Sequence, residues 1–374
     1  MKTERRVWTR TVEWGDEVAT TLSDADWVVY FGAPEALDDA RHAELRKRYP
    51  AALLLGCTTG GEIVADDVQD DSVTAMAVKL DGTKVHGAER AITTMGDSFA
   101  VGAALGAELA RKDLRAVFVL SDGTRVNGTE LVRGIRSAVG DGVIVTGGLA
   151  GDGPRFGTTR AGLSAAPAPG MVCAVGLSGD ALVIGHGSAG GWVPFGPERL
   201  VTRSSGNILL ELDHQPALEL YKRYLGEEAA QLPASALLYP LVICRRDHPD
   251  EPLVRTIVGI DEATNTMTFA GDVPEGAVAQ LMRASIEQLV DGAAAAATAA
   301  KSDCLQGFAI LVSCIGRKLM LGQRTADEVD AAACVLGADF PALGFYSYGE
   351  IAPCASGFSD LHNQTMTITT FAER

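Results

Sequence analysis

The densest group of chemically capable side chains is GFYSYGEI, residues 344–351. Phe345, Tyr346 and Tyr348 lead into Gly349 and Glu350, and His362 and Asn363 follow in HNQT at 362–365. Alternate residues of an extended chain point to opposite faces, so this turn offers aromatic walls and a few directional polar groups, as a small-molecule pocket requires. Upstream, SCIGR (313–317) places Cys314 at the end of an apolar run and Arg317 just beyond it. A guanidinium is a planar fork suited to carboxylates. Arg317 is therefore expected to be buried and to pair with Glu350, or with the carboxylate of a ligand. The competing reading is a Tyr/Glu/Arg network that only fixes the turn. The candidate ligand set is Arg317, Tyr346, Tyr348, Glu350, His362, Asn363 and Cys314, with a small anionic or zwitterionic ligand expected.

Two further turns share this grammar, GCTTGGEI (56–63) and GGLAGDG (147–153). They make Cys57, Thr58, Glu62 and Asp152 secondary candidates, together with Asp122 of LSDG (120–123). Other chemistries are thin. A thiolate at Cys314, favoured by the neighbouring guanidinium, or a carboxylate such as Asp122, would make an enzyme; no partner base can be identified from spacing, so this is a second alternative. GHGSAG (185–190) fits G-x-G-x-x-G letter for letter. The residues after it, GWVPFGP, cannot open the helix whose N-terminus would hold a pyrophosphate, so dinucleotide binding is rejected. The six histidines stand apart. Asp38 and His42 lie at helical spacing, and His248 sits among Asp247, Asp250 and Glu251 in a loop, but no metal site is expected.

The elements that must position these residues repeat. Strand, helix, strand, turn and strand run through 27–80, again through 116–179, and again through 308–371. Gly32 to Gly56 spans the same number of residues as Gly123 to Gly147, and an acid (Glu62, Asp152, Glu350) follows each turn in register. This reads as an internal repeat. Between the second and third copies lie a glycine-rich stretch, several short strands, a helix opening at Pro216, and VPEG (273–276), expected to open one long helix through AVAQLMRASIEQLVDGAAAAATAAK. The fold expected is α/β, two domains with mixed sheets, built partly from repeated β-α-β-turn-β units. The domains are placed at 1–205 and 206–374.

Composition bounds the rest. A chain of 374 residues is long for one core. Its net charge of −16 repels phosphate backbones, so no nucleic-acid partner is expected. No apolar run is long enough for a membrane span, and MKTERRVWTR lacks the apolar core of a signal peptide. Seven scattered cysteines without C-x-x-C argue for reduced thiols and a cytoplasmic location.

These motifs together resemble the FIST family, with FIST amino-terminal and carboxy-terminal domains. The carriers are the three turns, LSDG, GGW (190–192) with Gly196, PALELY (216–221), YPL (239–241), Arg255, VPEG, SCIGR and HNQT, in family order over nearly the whole chain. One departure is Ile315, where the family often has a small residue. The resemblance implies an intracellular, bacterial-type sensory module that binds a small ligand, an amino acid among the proposals, and acts in signal transduction. Such domains are joined to, or encoded near, histidine kinases and other outputs. With no output domain expected in this chain, a separate signalling partner is implied. One subgroup resembles haem-based nitric oxide sensors, which makes haem the alternative cofactor; otherwise none is expected.

Overall fold

The computed structural model describes residues 1–14, 21–232, 234–246, 252–301 and 306–374. Short apolar runs bounded by Gly, Asp and Pro form strands, and the three sequence copies form three sheets of one plan. In the first copy Trp27–Gly32 and Leu53–Thr58 run parallel, Val73–Lys79 is antiparallel to the former, and Lys2–Trp8 flanks it. The second copy repeats this with Leu114–Ser121, Ile144–Leu149, Met171–Ser178 and Lys84–Ala91. The third uses Gly307–Cys314, Ala342–Ser347, Met366–Glu373 and Leu182–Ala189. The expected repeat is therefore present, with shared connectivity.

The turn after each second strand carries the chain onto a neighbouring copy. Glu62–Val64 leaves the first copy and pairs with the third, Val64 opposite Leu343. Gly349–Pro353 leaves the third and pairs with the second, Glu350 opposite Gly148. Ala161–Leu163 leaves the second and pairs with the first, Gly162 opposite Gly56. The exchange closes a ring. The first parallel strand of each copy sends one aromatic residue into a shared core, where Trp27 lies 5.8 Å from Phe118 and 5.9 Å from Phe308, ring centre to ring centre. Helices cover the outside, Ser98–Leu109 and Gly128–Val139 over the second copy, Ile286–Ala300 and Thr325–Leu336 over the third.

A nine-stranded sheet between Val193 and Arg283 stands apart from the ring with its own core, including Leu209, Tyr221, Ile243 and Phe269. The architecture is α/β with mixed sheets, as expected. No helix among the described residues is long and apolar enough to cross a membrane.

Two local expectations need correction. The long helix does not start at VPEG. Val278–Arg283 is a strand paired with Leu241–Cys244, and the helix opens at Ile286, where Ser285 and Gln288 cap each other reciprocally. Likewise FAILVSCIGR (308–317), which reads as a strand throughout, ends its strand at Cys314, and Arg317 lies in the helix Ile315–Leu321. The burial alternation of Val278–Arg283 and the apolar run ending at Cys314 mark these limits better than the composition around them.

Candidate functional site

Most of the aromatic and charged residues picked out in the third turn are spent on one another. Arg317 is 0 % exposed. Its partner is Glu328, not Glu350: Nε and Nη2 donate to Glu328 Oε2 at 2.9 and 2.5 Å. Its remaining donors take the carbonyls of Leu289, at 2.8 Å, and Gly190. Tyr346 and Ser313 donate to Glu328 Oε1 at 2.8 and 2.9 Å. All of Arg317's charge is thus met inside the protein, as a buried ion pair demands. Cys314, one turn away, is buried, and desolvation pushes its thiol up, with the Glu350 carboxyl adding to the effect; the thiolate expected from the guanidinium is not favoured.

Glu350 fixes its own turn. Oε1 accepts from Ser347 Oγ at 2.9 Å, and Oε2 from the backbone N–H and hydroxyl of Thr365 at 3.1 and 2.9 Å. Glu62 makes the same pattern in the first copy: its Oε1 accepts from the Thr59 hydroxyl, three residues back, and its Oε2 from Ser72 N–H and Oγ at 3.2 and 2.7 Å. Each carboxyl staples the turn to the start of the closing strand. Burial outweighs these donors and lifts Glu350 to about 8 and Glu62 to about 7. Asp122 and Asp152 are likewise turn fasteners. Asp122 accepts from the backbone N–H groups of Thr124, Arg125 and Gly170. Asp152 accepts from Gly157 and Thr158 N–H and from the Tyr348 hydroxyl. Tyr348 stacks on Phe156 with 4.3 Å between ring centres. Thr58 accepts from Arg160 N–H at 3.0 Å, and Cys57 is buried with its thiol pushed up by desolvation.

Two clefts remain. One, of about 560 Å³, opens where the turns converge, between Thr59–Gly61, Asp152–Arg155 and the helix carrying Ile315 and Lys318. Its cations are already engaged: Lys318 Nζ donates to the Gly60 carbonyl at 2.8 Å and meets Asp70, and Arg155 meets Glu35.

The other, of about 460 Å³, lies between the nine-stranded sheet and the ring. Val242, Val254 and Met282 wall it on the sheet side; His186, Ser188, Trp192, Cys354, His362 and Asn363 face them from the ring. Several of its polar atoms are not spent. Asn363 is 0 % exposed; its Oδ1 accepts from Thr256 N–H at 3.2 Å, but its Nδ2 has no hydrogen-bond partner. The Ser188 hydroxyl is also buried without one. His362 Nε2 lies 3.0 Å from the Ala352 carbonyl, which can only accept, so Nε2 carries the proton and Nδ1 keeps its lone pair. Cys354 Sγ lies 3.8 Å from the same Nε2. Burial lowers the pKa of both His186 and His362, so both imidazoles are neutral near pH 7.

Of the seven third-turn candidates, only His362 and Asn363 reach this cleft. Thr365 of HNQT and Cys354 also line it, and His186 and Ser188 come from GHGSAGGW, which served above only as a rejected phosphate loop and a family marker. Gly185 and Gly187 are there for packing: a Cβ on them would stand 2.1 and 2.0 Å from the carbonyls of Ala300 and Ala296. His186 and Ser188 alternate with them. That alternation was the available signal. Glu328 was missed altogether. Among the described residues no group of three or more His, Cys, Asp or Glu side chains is placed to hold a metal ion. His248 and its acidic neighbours lie outside the described residues. Groups of the kind that ligate haem iron do line this cleft, as His186, His362 and Cys354.

The FIST N domain matches residues 26–215 and the FIST C domain residues 217–353. The chain belongs to the FIST family. FIST domains are generally regarded as small-ligand sensory domains of signal transduction. The comparison with curated proteins finds no match. Among solved structures, the chain is similar to a chorismatase (12% identity, 99% of this chain and 98% of that one, TM-score 0.37). It is also similar to a cyanuric acid hydrolase from A. caulinodans (10% identity, 100% and 99% covered, TM-score 0.38). At these scores neither likeness bears on the chemistry of this FIST protein. The second cleft runs between the two matched domains: His186–Trp192 belong to the first, and Val242, Val254 and Met282 to the second.

Proposed function

We propose that this protein is a small-ligand sensor that acts in signal transduction through a separate partner, with its ligand held in the cleft between the nine-stranded sheet and the ring. The observation that carries this reading is Asn363. A fully buried amide whose NH₂ has no partner costs free energy, on the order of 1–3 kcal/mol, and a ligand acceptor in the cleft it lines would recover that cost. The position supports a sensory role, because a ligand touching both walls favours whichever placement of the sheet against the ring gives it the better contacts. Arg317, on which an anionic ligand was expected to depend, is already committed to Glu328.

The test is calorimetry of the full chain against a small-metabolite library, repeated on Val254→Trp, which fills the cleft from its sheet wall. Binding to the wild type, lost in a variant that melts near the wild-type temperature, is the expected result. Ligands that bind both proteins alike would rule the cleft out.

A further inference from the structure

We infer that this cleft selects an uncharged ligand with an amide-like edge, one carbonyl acceptor beside one N–H donor, carried on a compact apolar body. The inference rests on the cleft being the ligand site and adds the class of ligand. Three observations lead to it.

First, no Asp, Glu, Lys or Arg side chain lines the cleft among the described residues. Arg317 and Arg255, on the elements around it, are met by protein groups. Arg317 is held by Glu328. Arg255 donates to the carbonyls of Asp272 and Leu361 at 3.1 and 2.9 Å. Arg245 does not line the cleft; its Nη1 stands 3.5 Å from Asp360, while its Nε and Nη2 are buried without a partner. A charged ligand entering here would lose its hydration without meeting a counter-charge, which is expensive.

Second, the free polar atoms are complementary in kind. Asn363 Nδ2 is a donor and asks for an acceptor. His362 Nδ1 is an acceptor and asks for a donor, because its other nitrogen is held by Ala352. The Ser188 hydroxyl can serve either. A primary amide carries both an acceptor and a donor on one planar group. A carboxylate supplies the acceptor but no donor, and an ammonium supplies donors that would face the Asn363 NH₂.

Third, beside His186, Cys354 and Thr365, whose hydroxyl is already given to Glu350, the wall offers the apolar side chains of Trp192, Val242, Val254 and Met282. The Trp192 indole N–H is already given to the Gln364 carbonyl at 3.0 Å, so this ring offers area and no further hydrogen bond. Buried polar groups left unpaired by the wrong ligand are what give such a site its selectivity.

The experiment compares isosteric pairs by titration calorimetry at neutral pH: benzamide against benzoate, and nicotinamide against nicotinate. Each is run on the full-length wild type, on Asn363→Asp and on Val254→Trp, with thermal melts of all three. Asn363→Asp keeps the oxygen that receives Thr256 N–H and replaces the free donor by an acceptor. The expected result is that the wild type binds the amides at least about tenfold tighter than the acids. Asn363→Asp should lose that preference, and Val254→Trp should lose binding. Acids that bind as tightly as the amides, with binding abolished in Val254→Trp, would overturn the ligand class and leave the cleft as the site. Amide binding untouched by either variant would overturn the cleft reading itself. No binding of any of the four compounds to the wild type would also overturn the class. If Asn363→Asp fails to fold, the amide-to-acid ratio on the wild type and the Val254→Trp arm still decide.

Discussion

Glu350 shows how far a residue type can be trusted and where it misleads. An acid after a turn glycine, recurring as Glu62, Asp152 and Glu350, was legible as a repeated feature; its use was not. In copies one and three it ties the turn to the closing strand through a hydroxyl three residues back and a Ser or Thr ahead. Those partners sit ten and fifteen residues downstream, so only the fold reveals them. The same limit applies to Arg317: its burial followed from its setting in an apolar run, but its partner Glu328 is on a different helix. Glu350 also carries a pH signature. Burial raises it from its ordinary 4.5 to about 8. An acid with a raised folded pKa binds its proton more tightly in the native state, so the native state is favoured at low pH. That stability is lost as pH rises from the unfolded value through the folded one. Wild-type melting temperature is therefore expected to fall between about pH 5 and pH 8, with a slope contribution of up to about 1.4 kcal/mol per pH unit. Glu350→Gln, which mimics the protonated acid, should melt with a flatter profile over that window. Parallel profiles for the two proteins would mean that Glu350 titrates at its ordinary value.

Elements were legible where their own residues decide them. The helices Asp39–Arg48 and Gly128–Val139 fall within the strand–helix–strand units and have side-chain caps at Asp38 and Asn127. Val278–Arg283 was misread because its helix-forming residues are recruited as a strand by Leu241–Cys244, a partner some forty residues away in sequence. GHGSAG runs in and just past the strand Leu182–Ala189, and its purpose needed the helix Ile286–Ala300 in view. That helix rides so close on Leu182–Ala189 that only glycine fits beneath it. The alternation then leaves His186 and Ser188 to the cleft. Gly187→Ala is accordingly expected to destabilise the protein by about 1–3 kcal/mol, since its Cβ would stand 2.0 Å from the Ala296 carbonyl and the helix must shift. Gly142→Ala, with no atom within 4 Å of its Cβ, is the matched control and should stay within about 0.5 kcal/mol. Denaturant melts of the pair decide it; equal midpoints would show that the helix yields without cost. Because the shift would move the cleft wall, Gly187→Ala also gives a variant in which fold and ligand response can be compared.

At the scale of the whole molecule, the three turns matter less as pockets than as joints. Three copies with one connectivity could have folded as three independent units. Instead each turn sends its next strand onto a neighbour: first to third, third to second, second to first. The repeat could be read from sequence, because spacing and turn residues are local. The exchange could not, because no local feature says whose sheet the strand after the glycine will join. The exchange makes each copy's edge the next copy's interior, so the copies should be stable only together. A fragment ending at residue 192 contains the first two copies but, of the third, only the strand Leu182–Ala189. It would leave Glu62–Val64 without Ala342–Ser347, and Ile144–Leu149 without Gly349–Pro353. Its core would expose Trp27 and Phe118, which in the full chain pack against Phe308 and Phe371. Unpaired strand edges beside an open aromatic core favour aggregation. The fragment is therefore expected to give no cooperative thermal transition and to be poorly soluble. Co-expression with a second fragment carrying the rest of the chain should restore a folded complex, because the missing strands and aromatic residues then return in trans. Circular dichroism melts and hydrogen exchange of Ile144–Leu149 read the outcome directly. A fragment that melts sharply near the full-chain temperature, with those amides protected, would show that the copies are independent and that the exchanged strands are ornament on units already stable.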